Sequence, residues 1–191
     1  YTMPGKFGSP FRLNAFKENN KVIIPILDLD ADGKLSNTSN NLLKNNLAEY
    51  LSNYRMINDY VEIRDGRIYN IAIDIYLFIT DNNDSVIINN VIRTISDYFD
   101  VDSKNMNEDI LLTPLNNRIM DINGVNNILD LRVFNKVGGN YSINPIEQEI
   151  IDEQTGEIKI IDNTIYSNKD SMFEIKYPEK DIRVFLKKRV N

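Results

Sequence analysis

Arg67-Ile68-Tyr69-Asn70-Ile71-Ala72-Ile73-Asp74-Ile75-Tyr76-Leu77-Phe78-Ile79-Thr80 is the run on which the fold turns. Ile71, Ile73, Ile75, Leu77 and Ile79 sit at alternate positions, so an extended chain points all of them to one face. A face that apolar must lie on a core, which makes 67–80 a long strand. Just before it, Asp59-Tyr60-Val61-Glu62-Ile63-Arg64 alternates as another strand, and Asp65-Gly66 supplies a hairpin turn signal between the two. Just after it, Asp81 to Ser85 breaks the strand and caps a helix over 86–99, with Ile88, Val91, Ile92, Ile95 and Phe99 at helical spacing. Thr113-Pro114 opens a short helix by the rule that sets an N-cap before an N1 proline, and Asn123-Gly124 closes it. A strand from Val125 to Asn135 completes a β-α-α-β subdomain over 67–137.

Residues 1–66 read as an extended arm, an edge strand and a helix. The arm mixes Pro4, Gly5, Gly8 and Pro10 with Phe7, Phe11 and Phe16. Lys21 to Leu27 is a short β-branched run in which Pro25 argues for an edge strand or a bulge. Leu43, Leu47, Leu51 and Tyr54 recur at helical spacing over 40–57, with N-cap candidates in 36–40. Gly138-Gly139 marks a flexible join to a β-rich segment, 138–191. There Glu153-Gln154-Thr155-Gly156 is flanked by two apolar runs as a hairpin, and two short strands, Met172 to Tyr177 and Ile182 to Leu186, surround Pro178. The fold class is therefore α+β, built from small helix-strand units. Arm and final segment carry little core of their own, so partner surfaces are expected to supply it.

At 191 residues the chain can bury roughly 70% of its unfolded surface without staples. Cys, His and Trp are absent, which removes disulfides, thiolate nucleophiles, Cys/His zinc sites and imidazole bases. Carboxylate, Lys, Tyr and Ser-Lys chemistry remain, and no convergent motif for any of them is present; no catalytic residue is assigned and an enzyme is not expected. Asn and Ile each supply about one residue in seven, a bias toward strands and polar turns. A net charge of −6 argues against a nucleic-acid partner. No apolar run approaches the roughly 18 residues of a membrane span. Because the chain opens on Tyr1 and not Met, it reads as the processed, cloned or ordered part of something longer.

One motif has metal chemistry in it. Asp28, Asp30 and Asp32 with Gly33 occupy positions 1, 3, 5 and 6 of a calcium loop, but position 12 is Ser39 instead of Glu, and a strand precedes the loop where a helix is required. The favoured reading is a strand-to-helix turn in which Asp and Gly serve backbone geometry, and no metal ligand is assigned. The acidic set Glu147, Glu149, Asp152, Glu153 and Glu157 could receive a basic partner or keep an exposed hairpin from pairing edge to edge. Lys187-Lys188-Arg189 reads as a solubilising terminus. Residues 49–60 are rich in Tyr, Arg and Met, types enriched at protein interfaces, although Tyr50 and Tyr54 at a four-residue spacing fit a core equally well.

Residues 43–80, from Leu43-Lys44-Asn45-Asn46-Leu47-Ala48-Glu49-Tyr50-Leu51-Ser52 through Asp65-Gly66-Arg67-Ile68 into the Ile-rich strand, resemble the C-terminal part of the large baseplate wedge protein of contractile-tailed, T-even-type bacteriophages, within the baseplate J-like family. Further likeness lies in Asp109-Ile110-Leu111-Leu112-Thr113-Pro114-Leu115, Ile122-Asn123-Gly124-Val125, Asn135-Lys136-Val137-Gly138-Gly139 with Tyr141-Ser142, and Phe173-Glu174-Ile175-Lys176-Tyr177-Pro178 with Asp181-Ile182-Arg183. It covers most of the chain, in order, through motifs that are individually weak. The resemblance implies a structural subunit of a virion tail baseplate, made in the bacterial host cytoplasm. That subunit homodimerises, joins other wedge subunits, links hub to periphery and helps transmit the contraction signal. It implies no catalytic residue and no cofactor, and it makes this chain a C-terminal portion or reduced form. Phe7, Phe11, Tyr54, Arg55, Tyr60 and Tyr177 are the residues expected near subunit contacts. Two other classes stay open: a calcium-dependent β-rich binding or adhesion domain using Asp28, Asp30 and Asp32, and a carboxylate glycosidase domain of a tail protein.

Overall fold

A computed structural model describes residues 8–37, 41–53, 60–80 and 83–188, with the backbone alone at Gln148. The protein is α+β. It gathers into two compact units: a first of Tyr1–Ile68, Asn105–Glu108 and Asn168–Met172, and a second of Tyr69–Lys104, Asp109–Ser167 and Phe173–Asn191.

The first unit is organised by β3 (Lys21–Leu29), whose β-branched residues Ile23, Ile24 and Ile26 are all buried. β1 (Arg12–Leu13) and β2 (Phe16–Glu18) run antiparallel along one side of it, and β5 (Tyr60–Asp65) runs parallel along the other. β4 (Leu35–Ser36) pairs with its far end. The expected edge strand is thus a central one: Lys21 to Ile23 are bonded to β2 and β5 at once. Pro25 is tolerated there because its missing N–H falls opposite Asn14, where the outer ladder lapses between β1 and β2; its carbonyl still accepts from the Asn14 N–H at 3.2 Å. α1 (Asn41–Ser52) buries Leu43 and Leu47 against Ile24 and Ile26. The expected helix reached residue 57, and 54–57 lie outside the described residues.

Asp65-Gly66 is not a hairpin. β5 belongs to the sheet of β3, whereas β6 (Arg67–Ile79) belongs to a separate four-stranded sheet. What requires glycine is a close approach. A Cβ on Gly66 would meet Met106 Cε at 2.5 Å and Leu27 Cγ at 2.9 Å, while its N–H donates to the Ile26 carbonyl at 2.8 Å.

The second unit is built on β6. Its isoleucine face behaves as alternation dictates: Ile71, Ile73, Ile75, Leu77 and Ile79 are essentially fully buried. Each such side chain contributes about 1.5–3 kcal/mol by leaving water. α2 (Asp84–Tyr98) covers that face with Ile87, Val91 and Ile95; Val91 and Ile95 lie on the expected stripe, but Ile87 takes the place expected for Ile88, which is only half-buried. β7 (Ile110–Leu111) leads into α3 (Leu112–Met120), which adds Leu112, Leu115 and Ile119. Thr113 lies inside α3 and is not its N-cap; Leu111 holds the cap position without a side-chain bond. β8 (Val125–Lys136) then pairs antiparallel with β6 over almost its whole length, with two register irregularities.

The C-terminal stretch departs most from expectation. β9 (Thr164–Ile165) pairs with β7, and β10 (Ser171–Glu174) with β6. A short helix, α4 (Pro178–Asp181), interrupts the strands of this β-rich part. β11 (Ile182–Lys188) then runs parallel to β6, Ile182 beside Ile73 and Lys188 beside Ile79. Phe173, Ile175 and Ile182 join the main core, so this segment finds its buried surface within its own chain. The expected hairpin at 149–161 contracts to the Ile151–Ile158 bridge, closed by Gly156 N–H donating to the Asp152 carbonyl at 2.8 Å.

Candidate functional site

Alternation has a second consequence on β6. With the isoleucines turned to the helices, Ala72, Asp74, Tyr76 and Phe78 must point the other way. Register brings Arg132 of β8 and Arg183 of β11 beside Asp74, and Asp130 and Phe185 beside Tyr76. α2 and α3 pack on the opposite face; Ala72 and Asp74 are buried even so, and the row reaches solvent around Tyr76, where Phe185 is 40% exposed, and through the Arg183 side chain, 62% exposed.

The row is held by its own contacts. Tyr76 and Phe185 stack at 4.6 Å with only 12° between ring planes. Arg132 lies 5.3 Å over the Tyr76 ring while its Nε donates to Asp130 at 2.7 Å. Arg183 grips the buried Asp74 carboxylate with both prongs, at 2.6 and 2.5 Å. The hydrogen bond to Asp130 raises the Arg132 pKa, and that to Asp74 raises the Arg183 pKa, so both cations are held firmly charged. Such a surface presents flat aromatic area between fixed charges, with little side-chain entropy left to lose on contact. Those are properties of an interface anchor. The sequence carried a signal for it in Asp74, Tyr76 and Phe78, out of phase with the isoleucines; Arg132, Arg183 and Phe185 became neighbours only through strand pairing.

A second polar centre in the same unit is inward. Asn70 Nδ2 donates to Glu174 at 2.7 Å with both residues buried, and the Ser142 N–H donates to Asn70 Oδ1 at 2.7 Å. The Tyr141 hydroxyl donates to Asp181 at 2.6 Å, and burial, then that bond and charge, push the Tyr141 phenol up to about 12. Tyr177 lies edge-on to Tyr141 at 5.6 Å, and its N–H donates to Asp181. In the first unit the buried Asp170 takes Arg64 at 3.1 Å and Arg67 at 2.8 Å. These bonds satisfy buried polar groups and serve the fold.

Of the expected contact residues, Phe7, Tyr54 and Arg55 lie outside the described residues. Phe11, in the first unit, is half-buried beneath the Arg12 guanidinium at 4.1 Å; Tyr60, also there, is 69% exposed at the head of β5. Tyr177, in the second unit, is half-buried against Tyr141. The Asp28–Gly33 turn uses its carboxylates on backbone: Asp30 Oδ1 accepts the N–H groups of Asp32 and Lys34, both at 2.9 Å, and Asp28 Oδ1 accepts that of Leu29. Among the described residues no three acidic side chains converge as a metal site. A groove of about 390 Å³ between α2 and α4, with Ile92, Arg93, Asp97 and Glu179 in its lining, is shallow and brings no set of reactive groups together.

No protein-family model matches the sequence, and no curated protein matches it.

Proposed function

We propose that this chain is a structural subunit of a contractile-tail baseplate wedge, homodimerising and joining other wedge proteins to link hub and periphery and carry the contraction signal. The sequence likeness described above gives the reading its name. The observation that supports it physically is the solvent-facing row of Tyr76, Phe185, Arg132 and Arg183, an ordered aromatic and charged surface without convergent reactive groups. On this reading the mechanism is assembly: apolar and aromatic area is buried between subunits while prepaired charges set register, and the rigid sheet behind the row transmits displacement when the tail contracts.

Quantitative mass spectrometry of purified contractile tails from the source tests it. The expected result is this chain at a copy number that is a multiple of the baseplate's rotational symmetry. Its absence from intact particles would overturn the reading. Light scattering of the purified chain separately reads the homodimer, and a monomer at all accessible concentrations removes that part.

A further inference from the structure

We propose that Asn123 is a site of spontaneous deamidation in the folded protein. Asn123-Gly124 is the one Asn-Gly pair in the sequence. It forms the turn between α3 and β8, where Asn123 is exposed and Gly124 has φ +93°. The Asn123 carboxamide makes no hydrogen bond among the described residues, and the Gly124 N–H has no acceptor there. The Asn123 carboxamide is therefore exposed and both reacting groups are unengaged, and the half-buried glycine puts no side chain in the path of its own nitrogen.

Two Asp-Gly pairs in the chain are built differently. The Gly66 N–H is committed to the Ile26 carbonyl at 2.8 Å, and the Gly33 N–H to the Asp30 carbonyl at 3.1 Å. Each nitrogen must break a bond before it can attack, and at Gly66 the surroundings are packed to contact. Gly124 has no such protection.

The chemistry balances with water as the only co-reactant. Hydroxide removes the Gly124 amide proton, and the nitrogen attacks Asn123 Cγ. The Cγ–Nδ2 bond then breaks and ammonia leaves with the proton it needs. Water opens the resulting five-membered imide at either carbonyl, giving aspartate or isoaspartate. The net change is one carboxamide hydrolysed and one negative charge gained at the start of β8. The isoaspartyl product also adds a methylene to the main chain, between the Ile122 carbonyl that accepts from Val125 at 3.1 Å and the Gly124 carbonyl that accepts from Thr80 at 3.1 Å. Both turn contacts are then displaced.

The test is peptide mapping by mass spectrometry of the intact folded chain after incubation in mildly alkaline buffer, beside the same chain unfolded in urea. Modification at Asn123 is expected ahead of every other asparagine, at a folded-state rate within about tenfold of the unfolded one, because no opening of the structure is needed. The Asn123→Gln variant, which keeps Gly124 and its backbone, should lose this early phase. A folded-state rate slower than that margin overturns the proposal, as does a different asparagine reacting first or an early phase that persists in Asn123→Gln. Circular dichroism before and after incubation establishes that the reacting chain was folded.

Discussion

Two strands organise this protein, β3 in the first unit and β6 in the second, and the difference between them is in what covers them. The β6 face is closed by two helices and by Phe173, Ile175 and Ile182 from the C-terminal segment, giving one large continuous cluster. Among the described residues, the β3 face of Ile24 and Ile26 closes on Leu43 and Leu47 of α1 in a far smaller cluster, while Ile23 and Leu27 are buried on the strand's other face. Both strands are rich in β-branched residues. Burial is thus decided by how many other segments arrive, and the sheet with more contributors carries more of the stability.

The sharpest way to break that comparison is to truncate one side chain in each core. Leu77→Ala, at a fully buried position, should cost about 3–5 kcal/mol in denaturant unfolding, and Leu47→Ala, in the smaller cluster, about 2–3 kcal/mol. Equal costs, or the reverse order, would show that the units share stability evenly. Gly66→Ala should cost about 1–3 kcal/mol, because Leu27 and Met106 must give way to the new methyl; a neutral result would mean that both side chains repack freely. Asp74→Asn should cost about 1 kcal/mol by loosening Arg183, most of whose side chain is in solvent. A further effect is confined to alkaline pH. The Tyr141 phenol is held near 12 in the folded state against an ordinary value of 10.0, so folding keeps its proton where the unfolded chain loses it. Its contribution to stability is whole below pH 10 and is lost as pH rises through about 12. Ultraviolet titration of the folded chain should therefore lose a late-ionising component in Tyr141→Phe.

Legibility followed range. The helix that closes the second unit was readable because Val91, Ile92 and Ile95 recur within a few residues, and β8 because its apolar run is bounded by Asn123-Gly124. Pro25 misled: proline forbids a ladder bond at its own nitrogen only, and here the neighbouring strand is broken opposite it. Asp65-Gly66 misled for a related reason, since the pair fits a tight turn and a tight packing contact equally well, and only Met106 and Leu27 distinguish them. The open row was half visible. Tyr76 could be placed on the outer face of β6 from alternation, but its stacking partner comes from a strand 109 residues further on.

Local composition thus settled the α+β class, the buried face of β6, the helices that cover it and the exclusion of thiol and imidazole chemistry, because each depends on residues near one another in the chain. Tertiary structure alone decided that β3 is central, that β11 lies parallel beside β6, and that Arg183 and Arg132 flank the same carboxylate neighbourhood. Strand pairing is made by backbone groups that every residue shares, so a sequence specifies which faces are apolar far more strongly than which strands will meet.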